Sequence, residues 1–148
     1  MHDTLPKTMT DAFDNQADIR PIVVTETQHP FPIVKVNQSW QDLCGYSSEE
    51  AVSKSMSDLI QGPKTNREDI SNAMYRLAAG AEHVECTTVN YRKDKTAFTN
   101  RLAMGPLYDD EADEENKVAT YYVGVLMNIG ELASEFVNEV EEKEDLEA

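Results

Sequence analysis

Two amides, one loop and two thiols are the groups in this 148-residue chain with the most chemistry to offer. In "EHVECTTVNYRK" (82–93) residues alternate in character, which predicts a β-strand with Val84, Cys86, Thr88 and Asn90 on one face. "TAFTNRLAMGPLYD" (96–109) reads as its hairpin partner, with Phe98, Asn100, Leu102 and Met104 on one face and "DK" as the tight turn between. Each strand therefore carries an amide on an otherwise mostly apolar face. A buried amide is costly unless its donors and acceptors are paired. Asn90 and Asn100 can be satisfied by each other, by loop backbone, by water, or by a ligand that offers both donors and acceptors. The loop is "MSDLIQGPKTN" (56–66), a short apolar turn followed by Gln61-Gly62-Pro63 and then Thr65-Asn66 opening a helix; it has the look of a ligand-binding loop.

Other reactive residues point to no catalytic constellation. His2, His29 and His83 are scattered and give no metal-ligand spacing, so no metal site and no catalytic residue is assigned. Cys44 and Cys86 read as small core hydrophobes, and without C-x-x-C spacing they fit a reducing, intracellular compartment. The carboxylates lie in acidic runs, "DDEADEE" (109–115) and the tail from Gly130, and not as an acid–base pair. A net charge of −15 argues against this chain gripping nucleic acid, which needs clustered Lys and Arg. No apolar run approaches the roughly 20 residues that cross a bilayer, so no membrane partner is expected.

The elements that must position these groups follow from periodicity and caps. Met9, Ala12 and Phe13 predict a helix in the N-terminal flank (1–19). "RPIVVTET" (20–27) and "IVKVN" (33–37) form a hairpin across the proline turn "QHPFP". Asn37 caps a short helix that Gly45 stops, and Ser47 with Glu50 has capping-box spacing. Asn66 opens "REDISNAMYRLAAG" (67–80), an amphipathic helix ending at Gly80. "VATYYVGVLMNI" (118–129) is the last strand, and 130–148 reads as an acidic helix with Leu132, Ala133, Phe136, Val137 and Val140 on one stripe. Strands at both ends with helices between give an α+β domain, an antiparallel sheet with helices on one face.

With these elements in place, "WQDLCGYSSEEAV" (40–52), "LIQGPKTN" (59–66), "VNYRKDKTAFTNRL" (89–102) and "YYVGVLMN" (121–128) together resemble PAS domains of the LOV-like branch, which bind flavin mononucleotide for blue-light sensing. The resemblance covers residues 20–129 and implies a five-stranded antiparallel sheet. It implies that Gln61, Asn90 and Asn100 would contact a flavin. It also shows departures. The photoreactive cysteine falls on Met56 or Ser57, and the asparagine beside it on Ser55 or Met56. The two phosphate-binding arginines fall on Ser57 or Asp58 and near Met74, and the glutamine of the last strand falls on Leu126.

These losses lead to the expectation of a PAS signalling and dimerisation module, not an enzyme, with a degenerate pocket and no cysteinyl–flavin photochemistry. No cofactor is expected, with Met56, Leu59 and Ile60 filling part of the space. The expected partner is a second copy or another PAS signalling protein, in the cytoplasm, or in the nucleus as part of a transcription regulator. The alternative is a cysteine-less sensor that holds flavin mononucleotide through Gln61, Asn90 and Asn100 and signals by flavin photoreduction.

Overall fold

The computed structural model describes residues 4–113, 115 and 117–133. Its elements run α1 (Met9–Phe13), β1 (Ile22–Thr25), β2 (Ile33–Val36), α2 (Gln38–Cys44), α3 (Ser48–Ala51), α4 (Met56–Leu59), α5 (Arg67–Ala78), β3 (Val84–Tyr91), β4 (Ala97–Leu107) and β5 (Tyr121–Leu132). The five strands form one sheet in the order β2-β1-β5-β4-β3, and every neighbouring pair is antiparallel. The α+β architecture read from the sequence is the one observed.

The caps act where the sequence places them. The Asn37 side chain accepts from the Trp40 amide at the start of α2, and Gly45 ends that helix in the left-handed region at φ 84°. Ser47 and Glu50 close a reciprocal capping box on α3, and the Asn66 side chain accepts from the Asp69 amide on α5. These bonds satisfy amides that the first helical turn leaves without partners. One element is missing from the sequence reading. Residues 56–59, taken as an apolar turn, form the one-turn helix α4, whose N-cap Ser55 accepts from the Asp58 amide at 3.1 Å. Ser followed three residues later by Asp was the available signal.

Two apolar clusters sandwich the sheet. On the helix side, Val23, Ile33, Trp40, Cys44, Ile60, Leu77, Leu102 and Leu126 are buried together. On the other side, Ile22, Val24, Leu107, Val123 and Val125 are buried beneath Leu5 and Ala12. Helix α1 therefore lies on the face opposite α2–α5. The N-terminal segment is tied down by a parallel bridge between Thr8 and Tyr108 and by the Tyr108 amide donating to the Lys7 carbonyl at 2.8 Å. A Cβ on Gly105 would come within 2.6 Å of the Glu82 carbonyl oxygen, so glycine is what lets the backbone at Glu82 lie this close to β4.

Further along the same outer face the cover ends. Met127 shares strand parity with Val123 and Val125 but is 44% exposed, and Ile129, the extra residue at the register shift opposite Thr99 and Asn100, is 52% exposed. The last strand continues to Leu132, three residues beyond its expected end, because β4 still offers partners there: Ala97 pairs with Leu132 and Phe98 with Glu131. The start of the expected acidic helix is therefore strand, and the rest of that helix, from residue 134, lies outside the described residues. No helix among the described residues is long and apolar enough to cross a membrane.

Candidate functional site

The loop between α4 and α5 is fastened to β3 by side chains of its own sequence. Thr65 Oγ1 donates to the Val89 carbonyl at 2.6 Å and accepts from the Gly62 amide at 2.9 Å. The Asn66 amide donates to Thr88 Oγ1, and the Lys64 amide to the Tyr91 hydroxyl. Gly62 is required for close approach, since a Cβ there would lie 2.5 Å from the Tyr91 ring. The Tyr91 amide in turn donates to the Ile60 carbonyl at 2.8 Å. Together these bonds fix the backbone that carries Ile60 and Gln61 beside Asn90.

The two asparagines form a continuous buried chain. Asn90 Nδ2 donates to the Ile60 carbonyl at 3.1 Å, and Asn100 Nδ2 donates to Asn90 Oδ1 at 2.8 Å. The Met127 amide donates to Asn100 Oδ1 at 3.1 Å, at a register shift between β4 and β5. The amides thus partner each other and backbone, one of the outcomes open from the sequence. Asn100 is wholly enclosed. Asn90, though nearly as buried, still forms part of the wall of a cleft between α4, α5 and the sheet.

That cleft has a volume of about 710 Å³ and a mainly apolar lining, within the range of pockets that take cofactor-sized ligands. Its sheet-side wall includes Leu102, Met104 and Tyr122, and its helix-side wall includes Met56, Ile70 and Met74. Ile60 is fully buried in the core and Leu59 packs partly against it, so of the three residues expected to fill the space only Met56 stands in the cleft wall. Phe31 enters from the β1–β2 turn at φ 61°, a backbone region unfavourable for an aromatic residue, and its ring centroid lies 6.3 Å from that of Tyr122.

The polar rim contains Ser55, Ser57, Asp58, Gln61 and Arg67. Arg67 was not singled out from the sequence, where it reads as an ordinary exposed residue in the first turn of a helix. Its Nη1 donates to Gln61 Oε1 at 2.8 Å and to Ser57 Oγ at 3.3 Å, so the guanidinium is held against the rim. Gln61 is brought to the cleft, as its position implied, but its carbonyl oxygen accepts from Arg67.

Neither cysteine reaches the cleft. Cys44 is buried in the core at the end of α2, and burial pushes its thiol up to about 12 despite the opposing pull of the Arg92 charge. Cys86, half-buried, lines a separate groove between α5 and the β3–β4 edge, and its thiol is pushed up by burial and then by the Asp69 charge. Leu126 is enclosed in the helix-side core and has no group that can exchange hydrogen bonds. Among the described residues no His, Cys, Asp and Glu cluster is arranged to hold a metal.

The comparisons with known proteins agree with this anatomy. The family model for the PAS domain matches residues 20–131. The chain belongs to the PAS-domain family. It is 32% identical over 118 residues to the bacterioopsin transcriptional activator of Halobacterium salinarum, covering 77% of this chain and 16% of that protein. It is 33% identical over 111 residues to blue-light-activated histidine kinase 2 of Erythrobacter litoralis, covering 73% of this chain and 29% of that protein. Among solved structures, the LOV domain of the Erythrobacter litoralis EL346 blue-light-activated histidine kinase superposes with a TM-score of 0.62 at 29% identity, over 75% of this chain and 96% of that one. The PAS chain described here therefore spans less than a third of the length of these two curated relatives, and it has LOV domains among its homologues.

Proposed function

We propose that this PAS domain is a sensory module whose cleft takes a flavin-type ligand without forming a covalent bond to it. The observation that carries the reading is the cleft itself: about 710 Å³, mainly apolar, with an asparagine in its wall and no cysteine in its lining. An isoalloxazine ring presents apolar faces and an edge of alternating donors and acceptors, which suits apolar walls with one amide at the end. The donor set therefore fits the ring of flavin mononucleotide. Bound flavin would supply one-electron redox chemistry driven by blue light. Met56 and Ser57 cannot supply the thiolate that an adduct requires, and Cys44 and Cys86 are outside the cleft. The chain's own part would be to exclude water from the ring through Met56, Ile70, Leu102 and Met104, and to orient its polar edge through Asn90.

The open cleft of about 710 Å³ supports this reading in preference to the filled, degenerate pocket expected from the sequence. The path outward is the chain Asn90–Asn100–Met127 amide, which links the cleft wall to β5. Beyond it, Met127 on the outer face and Ile129 at the adjacent register shift offer exposed apolar surface, suited to a second copy or another signalling partner. The apolar cleft walls and the amide chain support binding and relaying as the module's role.

Titration of the purified apo-protein with riboflavin, followed by quenching of flavin fluorescence, tests the reading. Saturable quenching that Asn90→Leu weakens severalfold supports it. Unquenched riboflavin at high micromolar protein would remove it.

A further inference from the structure

The ring-sized part of the cleft explains its apolar walls and Asn90, but leaves the rim unaccounted for. There, Asp58 and Arg67 bring opposite charges to the lining without forming an ion pair with each other. Arg67 has no carboxylate within salt-bridge distance among the described residues. Its Nη1 is engaged by the neutral oxygens of Gln61 and Ser57. The remaining N–H groups, on Nε and Nη2, donate to nothing else described. In a chain of net charge −15, a guanidinium fastened to a cleft rim by two neutral acceptors, with the other half of its fork unused, is an unusual resource.

We infer that Arg67 is the anion-binding pole of this cleft and receives the phosphate monoester of a flavin-type ligand whose ring lies against the apolar walls. A planar guanidinium with parallel N–H groups matches phosphate oxygens in pairs, and bonds to a charged acceptor are about twice as strong as neutral ones. Gln61 and Ser57 act as positioning residues, because their bonds to Nη1 hold the fork at the rim before a ligand arrives. The positions where the resemblance to LOV-like domains implies phosphate-binding arginines hold Ser57 or Asp58 and, nearby, Met74, and Met74 contributes apolar wall. The cation has thus moved to the first turn of α5. Asp58 opposes the same phosphate and lowers its affinity below what Arg67 alone would give.

This inference rests on the proposed flavin-type ligand, and the test separates the two. Riboflavin and flavin mononucleotide differ only in the phosphate, so their affinities are compared by fluorescence quenching at 0.15 M salt, on the order of physiological ionic strength. The expected result is about tenfold tighter binding of flavin mononucleotide, a moderate value because Arg67 is solvent-exposed. Arg67→Gln should reduce that ratio to about one while leaving riboflavin affinity unchanged, Arg67→Lys should keep part of it, and Asp58→Asn should enlarge it. Urea melts of each variant confirm the fold, which an exposed side chain should not disturb. Equal binding of the two flavins by the unaltered protein overturns the role of Arg67 and leaves the ring site standing. A loss in Arg67→Gln that is equal for both flavins also overturns it, and failure of both flavins to bind overturns the inference and the ring site together.

Discussion

Replacing Asn100 with leucine, alone and together with Asn90→Leu, measures how tightly the buried amide chain is coupled. Asn100→Leu keeps the side-chain volume similar but leaves Asn90 Oδ1 without its donor and the Met127 amide without its acceptor. Each stranded buried group costs about 1–3 kcal/mol, so the single change should destabilise by about 4 kcal/mol. Asn90→Leu strands only Asn100 Nδ2, because the Ile60 carbonyl keeps the Tyr91 amide as a second partner; that should cost about 2 kcal/mol. In the double variant the only stranded group is the Met127 amide, for about 2 kcal/mol, so the double should fall short of the sum of the singles by about 4 kcal/mol on this count. Because neighbouring groups relax, a measured coupling of at least about 2 kcal/mol is the working expectation. Urea denaturation of the four proteins, with m-values compared to confirm equivalent transitions, gives the cycle directly. Additivity within about 0.5 kcal/mol would refute the chain as a coupled unit.

Thr65→Val removes both the acceptor of the Gly62 amide and the donor to the Val89 carbonyl; it should cost about 2 kcal/mol in urea melts and weaken binding of flavin mononucleotide more than that of riboflavin, by loosening Gln61, which holds Arg67 at the rim. Glu131 is held below its ordinary value of 4.5 mainly by hydrogen bonding to Arg92, with a further bond from Asn128. A depressed carboxylate stabilises above its unfolded value and loses that contribution as pH falls through the folded one. Glu131→Gln should therefore be less stable than the parent at pH 6, on the order of neutrality, and indistinguishable from it once the parent carboxylate is protonated in acid. Cys44, with its thiol pushed up to about 12, should resist alkylation in the native protein at neutral pH and react only on unfolding, while the half-buried Cys86 reacts first. The exposed pair Met127 and Ile129 should support a concentration-dependent dimer in sedimentation equilibrium, weakened by Ile129→Glu; an unaltered chain that stays monomeric at high micromolar concentration would contradict this.

The sheet was legible because alternation and capping are local. Val84 to Asn90 and Phe98 to Met104 show their faces by parity, and Asn37, Ser47 and Asn66 mark helix starts by residue type. Asn90 and Asn100 stood out for the same reason, as polar residues on apolar faces. Arg67 did not, because an exposed arginine in a helical first turn looks like any other; only the folded loop brings Gln61 and Ser57 to its Nη1. The length of β5 was equally hidden, since its last residues are held by pairing with Ala97 and Phe98, more than 30 positions earlier in the chain. The cover of the outer face by Leu5 and Ala12 is likewise a long-range fact, set by the bridge at Thr8 and the Tyr108 amide donating to the Lys7 carbonyl. Nor does a residue count reveal how much space Met56, Leu59 and Ile60 leave. Ile60 turns into the core, and the cleft persists.

The central claim is a flavin-type ligand held without a covalent bond. It is tested most directly by the absorption spectrum of the protein loaded with flavin mononucleotide, before and after blue light in oxygenated buffer without added reductant. The account predicts a structured, three-peaked blue band that survives illumination. Failure to acquire that band, or its reversible replacement in the light by a single near-ultraviolet band, the signature of a thiol adduct, would contradict it.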